Sequence, residues 1–176
     1  MKRKILFVVA LLCFVLLLAC GCNKSEEIVK AQQAAVEKAT SLVCQAVVTD
    51  GEATVYAYSR ETVVVDDGIA VTTSESKLNS SFELEEKSST QQGALDRSQF
   101  AVLALSGKID NVQKQNGVIT GTISNENLSA ALGANVQSAD GATVTAEISD
   151  GILTKLTVSF STVSNKSVTL TYSYGF

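Results

Sequence analysis

The chain has 176 residues, with 14 Lys+Arg against 18 Asp+Glu, 45% apolar residues and no His, Pro or Trp. Without His there is no Ser-His-Asp triad, imidazole proton shuttle or HExxH zinc site, and much of hydrolytic chemistry goes with it. An acidic chain also lacks the Lys/Arg surplus that binding a phosphate backbone requires, which excludes nucleic acid as a partner, and the length fits one domain around one core.

Lys2, Arg3 and Lys4 precede an apolar run from Ile5 to Ala19, the charged start and apolar core of a signal peptide over residues 1–19. The run is shorter than the roughly 20 residues that cross a bilayer, which argues against a retained transmembrane helix. It ends in Leu17-Leu18-Ala19-Cys20, and these four residues resemble the lipobox of bacterial lipoproteins. The resemblance implies a diacylglyceryl group on the Cys20 thiol, cleavage just before it, and export to an extracytoplasmic membrane face. Cys22 is the alternative acceptor, since small residues precede it too; Leu17 at the third position upstream favours Cys20. Losing residues 1–19 leaves 11 basic against 18 acidic residues, net −7. Anionic headgroups repel such a body, so contact with the membrane is expected through acyl chains.

Residues 20–24 read as a lipidated tether and residues 25–176 as the folded domain. Ser25, Glu26 and Glu27 suit a cap and acidic first turn, and Ile28, Val29, Ala31, Ala35, Val36, Ala39, Leu42 and Val43 recur at helical spacing. A helix over 25–43 would span nearly ~30 Å at ~1.5 Å per residue, beyond disulfide reach for Cys22 and Cys44. No disulfide is expected, and Cys44 reads as a buried small hydrophobe.

Beyond Cys44 the chain is rich in Thr, Ser and Val and is punctuated by Asp50-Gly51, Asp67-Gly68, Asn116-Gly117, Asp140-Gly141 and Asp150-Gly151. These pairs tolerate the positive φ of tight hairpins and predict an antiparallel meander. Thr54 to Val65 with Ile69 to Lys77, and Ala142 to Ser149 with Ile152 to Phe160, read as hairpins. Val144, Ala146 and Ile148 alternate onto one dry face with Ile152, Leu156, Val158 and Phe160, then Val168, Leu170, Tyr172 and Tyr174. Thr143, Thr145, Glu147, Lys155, Thr157, Ser159, Thr169, Thr171 and Ser173 fall on the wet face. Short helices are predicted over 96–106, stopped by Gly107, and over 125–132, capped by Ser124 and stopped by Gly133; Ser88 to Gln92 reads as a loop.

The expected fold is therefore α+β: an N-terminal helix packed on a curved antiparallel sheet, a half-barrel, with two short inserted helices. The order of elements from residue 25 to 176, above all strand 117–124, helix 125–133 and the meander from Ala142 to Gly175, resembles bacterial envelope lipoproteins with a fold like that of the Lol carriers. The resemblance implies acyl chains held between sheet and helices.

Candidate chemistry is sparse. Ser74-Glu75-Ser76-Lys77 spells S-x-x-K, but it lies in strand sequence, where residues three apart face opposite ways. Asp66-Asp67 suit a turn, and Glu83, Glu85 and Glu86 a solvated face, with no EF-hand pattern. The pairs Tyr56/Tyr58 and Tyr172/Tyr174 read as residues at the edge of the core. The expectation is a non-enzymatic protein with no catalytic residue, metal or cofactor. It would bind an apolar or amphipathic ligand through Ala35, Ala39, Val144, Ile148, Leu156, Val158, Leu170 and Tyr172, or serve as an interaction subunit for an envelope protein with its core filled.

Overall fold

The structure, a computed structural model, describes residues 25–66, 68–79, 81 and 83–176. Residues 1–24, including Cys20 and Cys22, lie outside the described residues, as do Asp67 and Phe82. Helix α1 covers residues 25–38. Among the described residues nine strands then form one sheet: β1 (Ser41–Asp50), β2 (Ala53–Val65), β3 (Gly68–Leu78), β4 (Leu84–Gly93), β5 (Asp110–Gln115), β6 (Val118–Ile123), β7 (Ser138–Ser149), β8 (Ile152–Thr162) and β9 (Ser167–Gly175). Helix α2 (Asn125–Leu132) lies between β6 and β7. The fold is α+β and dominated by its sheet, with every neighbouring pair antiparallel and the order β4-β3-β2-β1-β9-β8-β7-β6-β5.

Two meanders, β1 to β4 and β5 to β9, are thus zipped together along β1 and β9. The hairpins expected at Asp67-Gly68 and Asp150-Gly151 are present, β2 with β3 and β7 with β8. Asn116-Gly117 and Asp150-Gly151 both carry positive φ at their two residues, the geometry whose twist matches the flanking strands. Helix α2 has Ser124 at its N-cap and Gly133 in the left-handed region at its C-cap, where the sequence placed them.

Four expectations are corrected. The first helix stops at residue 38, and Leu42 and Cys44 belong to β1. Leu42 and Val43 satisfy helical and strand spacing alike; what decides is that β1 pairs on both sides, with β2 and β9, so every ladder group from Ser41 onward finds a partner. Ser88 to Gln92 is not a loop but the second half of β4. An edge strand exposed on both faces needs no apolar alternation, and its hydroxyls pair instead with β3, Thr72 with Thr90 at 3.1 Å and Thr73 with Ser89 at 2.9 Å.

Asp140-Gly141 is not a hairpin turn but a bulge inside β7, where the register with β8 shifts between Ser138 and Ala142. Gly141 has φ +80°, donates its N–H to Asn125 Oδ1 at 2.9 Å, and leaves no room for a Cβ against the Ile123 carbonyl. The helix expected over 96–106 is a single 3-10 turn, Arg97–Phe100, followed by extended chain. β4 and β5 are the two edges of the sheet, so the segment 94–109 must run from one edge to the other. Eight strand spacings of ~4.8 Å amount to about 38 Å on a flat sheet, and an eleven-residue helix would advance only ~16 Å of that. The chain stays extended instead, and burial alternates along it: Leu103 and Leu105 inward, Ala104 and Ser106 outward.

This crossing segment, here the strap, forms the core together with α1 and the dry sheet face. Ile28, Ala31, Ala35 and Ala39 meet Phe100, Leu103 and Leu105 from the strap and Leu42, Ile119, Val144, Ala146, Leu156 and Val158 from the sheet. Leu153, which the alternation leaves out, is also fully buried. A bulge accounts for it: between the pairs Ile148–Leu153 and Glu147–Lys155 the extra residue Thr154 turns Leu153 inward. Specific hydrogen bonds pin the strap: Gln32 Nε2 donates to the Leu103 carbonyl at 3.0 Å, Arg97 Nη1 to the Ala39 carbonyl at 2.6 Å, and the Tyr174 hydroxyl to the Phe100 carbonyl at 2.8 Å.

Candidate functional site

The eight residues expected to line a ligand site separate into two groups. Ala35, Ala39, Val144, Leu156 and Val158 are each 0% exposed, inside the packed core, and Ile148 is half-buried against it. Leu170 and Tyr172 lie further along the dry face and line an open cleft of about 270 Å³. Ala35 is fully buried among the core side chains. Ala35→Trp is expected to overpack the interface and cost about 1 to 3 kcal/mol or more, read as a lower urea midpoint. A variant as stable as its parent would mean that the space behind Ala35 is open.

The cleft follows from strand register. The inner face of β2 presents Tyr56, Tyr58, Arg60, Thr62 and Val64 at successive even positions; on β1, Ala46 stands opposite Tyr58 and Cys44 opposite Arg60. On β9, Leu170 and Tyr172 stand opposite Ala46 and Cys44. The strap roofs this patch with Gln99, Ala101 and Val102. Beside it, a groove of about 550 Å³ runs over β3 and β4 between Val71, Thr73, Gln91 and Asp96, and it shares Tyr58, Arg60 and Gln99 with the cleft. The two depressions meet at Arg60.

The floor is dry. Burial pushes the Cys44 thiol up to about 11 despite the opposing pull of the Arg60 charge, and pushes the Tyr172 hydroxyl up to about 12. Tyr174, on the same face, is raised as well, first by burial. Cys44 carries a free thiol, which at neutral pH is protonated and a poor nucleophile. These groups share one linkage sign: their folded values lie above their unfolded ones, so the stability they contribute is complete below about pH 9 and is lost as the pH rises through about 12. The urea midpoint is therefore expected to fall between pH 9 and 12. Cys44→Ala should flatten the lower part of that fall and Tyr172→Phe the upper part; unchanged slopes in both variants would refute the assignment.

Arg60 is half-buried, and one of its guanidinium nitrogens donates to Gln99 Oε1. Among the described residues no carboxylate lies within ion-pair distance of it; the ion pairs there involve Lys30, Lys114, Lys155 and Lys166. Asp96 in the neighbouring groove accepts from the Ser98 N–H at 2.9 Å, capping the 3-10 turn, and its carboxyl is held below the usual range by Ser98. Strand alternation carries a signal that finds Arg60: it is the one charge on the inner face of β2, in the series Tyr56, Tyr58, Arg60, Thr62, Val64. Gln99, Ala101 and Val102 had no such signal, because their segment reads as a helix.

The remaining sequence candidates stay apart from the cleft. Ser74 and Lys77 lie in β3 on opposite faces, and Ser74 Oγ donates to Glu86 Oε1 at 3.4 Å. Tyr56 is raised, first by burial and then by Glu75. Asp66 sits at the β2–β3 turn, and Glu85 and Glu86 are exposed on β4. Among the described residues no three His, Cys, Asp or Glu side chains could together hold a metal ion. No described helix is long and apolar enough to cross a membrane. No protein-family model matches this chain, and no curated protein matches it.

Proposed function

We propose that the chain is an exported lipoprotein, anchored through acyl chains on Cys20 at an extracytoplasmic membrane face, that binds an amphipathic envelope ligand without transforming it. One observation carries the binding reading. The cleft of about 270 Å³ has an apolar floor and opens onto a groove of about 550 Å³, a size and lining that suit a small amphiphile. Half-buried thiol and phenol groups without an adjacent base give the site no activated nucleophile.

A half-barrel like that of the Lol carriers is consistent with this reading. Bulges between Val48 and Thr49 and at two places in the β7–β8 pair add local twist, and the strap joins the two edges of the sheet across α1. Native mass spectrometry of the domain expressed without its signal, before and after solvent extraction, tests the binding function. The expected result is a bound mass that extraction removes; a protein that carries none and takes up no added amphiphile would reject it.

A second reading, an interaction subunit for an envelope protein, is favoured by β4, all ten residues of which are exposed at the edge of the sheet. An unprotected edge is a template for strand addition. In that case the same measurement shows no ligand mass.

A further inference from the structure

The cleft is mostly apolar, yet its side wall holds a cation whose charge the described residues leave unneutralised. A guanidinium offers five N–H donors, and Arg60 uses one on Gln99. Removing a charge partly from water is costly unless an anion or several acceptors compensate. Around Arg60 stand a protonated thiol, phenol rings, aliphatic side chains, amides and the Thr73 hydroxyl; the one carboxylate lining the adjoining groove, Asp96, is engaged by Ser98 and makes no ion pair with Arg60 among the described residues. What would complete the arrangement is an anionic group with its hydrocarbon lying on Ala46 and Leu170.

We propose that the ligand is an anionic amphiphile, with a carboxylate or phosphate monoester head paired to Arg60 and its chain running over Ala46 and Leu170 beneath the strap. This rests on the cleft being the binding site. It adds that the site selects charge, because a planar guanidinium can grip two oxygens of such a head at once, which a neutral ester or amide cannot reproduce. Val158 is 0% exposed in the core, so the chain lies in the open cleft and reaches the groove or solvent. Glu75, opposite Tyr58 on the same face, and Asp96 in the groove would repel a head displaced toward β3, which confines the anion to the Arg60 side.

The test uses the full-length protein in phosphatidylcholine nanodiscs and a ten-carbon diazirine fatty acid, with the corresponding amide as its neutral counterpart. After photolysis, adducts are mapped by peptide mass spectrometry. The carboxylate probe is expected to label peptides containing Tyr58 or Tyr172 with at least tenfold higher yield than the amide. Arg60→Gln should remove that preference, and Arg60→Lys, which keeps the charge but not the two-pronged grip, should retain only part of it. Equal labelling of the cleft by both probes, or a preference that survives Arg60→Gln, would overturn the charge selection while leaving the cleft as the site. Labelling of the cleft by neither probe would overturn the binding reading itself. Competition by decyl phosphate but not decanoate would identify a phospholipid-type head, and the reverse a free fatty acid; either supports the anionic ligand. Competition by both also supports it; competition by neither, or by decanol as effectively as by the two anions, would refute it.

Discussion

Truncating Phe100 to Ala is expected to destabilise the protein by about 3 to 5 kcal/mol, the range for deleting a fully buried aromatic ring. Phe100 is 0% exposed and ends the 3-10 turn of the strap. Its carbonyl accepts from the Tyr174 hydroxyl, and Arg97 lies 5.5 Å from its ring centroid. The ring is the largest side chain that the strap sinks into the core, so its loss leaves a cavity that extended chain cannot collapse to fill. At roughly 2 to 4 °C per kcal/mol for a domain of this size, the melting temperature should drop by ~6 to 20 °C. The cleft should fail with it, because Gln99, Ala101 and Val102 are held in place by the same turn. A Phe100→Ala protein that melts within a degree or two of its parent would show that the strap is not anchored as described.

The strap also shows where sequence reading ends. The last third of the chain was legible because its strands are half-buried and alternate: β7, β8 and β9 each write one dry and one wet face into the residue order, and Gly151 marks the turn between β7 and β8. β4 was illegible for the opposite reason, since a strand wet on both faces has no hydrophobic period to write. Residues 96–106 misled because Phe100 and Leu103, three apart, fit a helix, while Leu103 and Leu105, two apart, fit extended chain. Only the strand order, which places β4 and β5 at opposite edges, decides between them. Of the candidate site, Leu170 and Tyr172 were reachable through their alternation. The full burial of Ala35 in one core with Val144 and Val158 was not, because small side chains on a helix are compatible with either a cavity or a close approach.

Replacing Cys20 by Ser should abolish acylation and leave the precursor uncut, the largest functional effect expected of any single change. Two or three acyl chains, at about 0.8 kcal/mol per buried CH₂, hold a protein almost permanently at a membrane, whereas one chain binds marginally. A body cut before Cys20 would carry net −7 and supply no electrostatic second anchor to anionic lipid. A serine hydroxyl cannot form the thioether that, on the lipoprotein resemblance, the processing peptidase recognises, so residues 1–19 should remain attached. Membrane fractionation alone would not reveal this, because the uncleaved apolar run from Ile5 to Ala19 can itself hold the precursor in the bilayer. The decisive readouts are palmitate incorporation and the mass of the N-terminal peptide. Cys20→Ser should show neither label nor cleavage, and Cys22→Ser should show both. Label that survives in Cys20→Ser and vanishes in Cys22→Ser would move the acceptor to Cys22, and an unlabelled parent would refute the lipid anchor altogether.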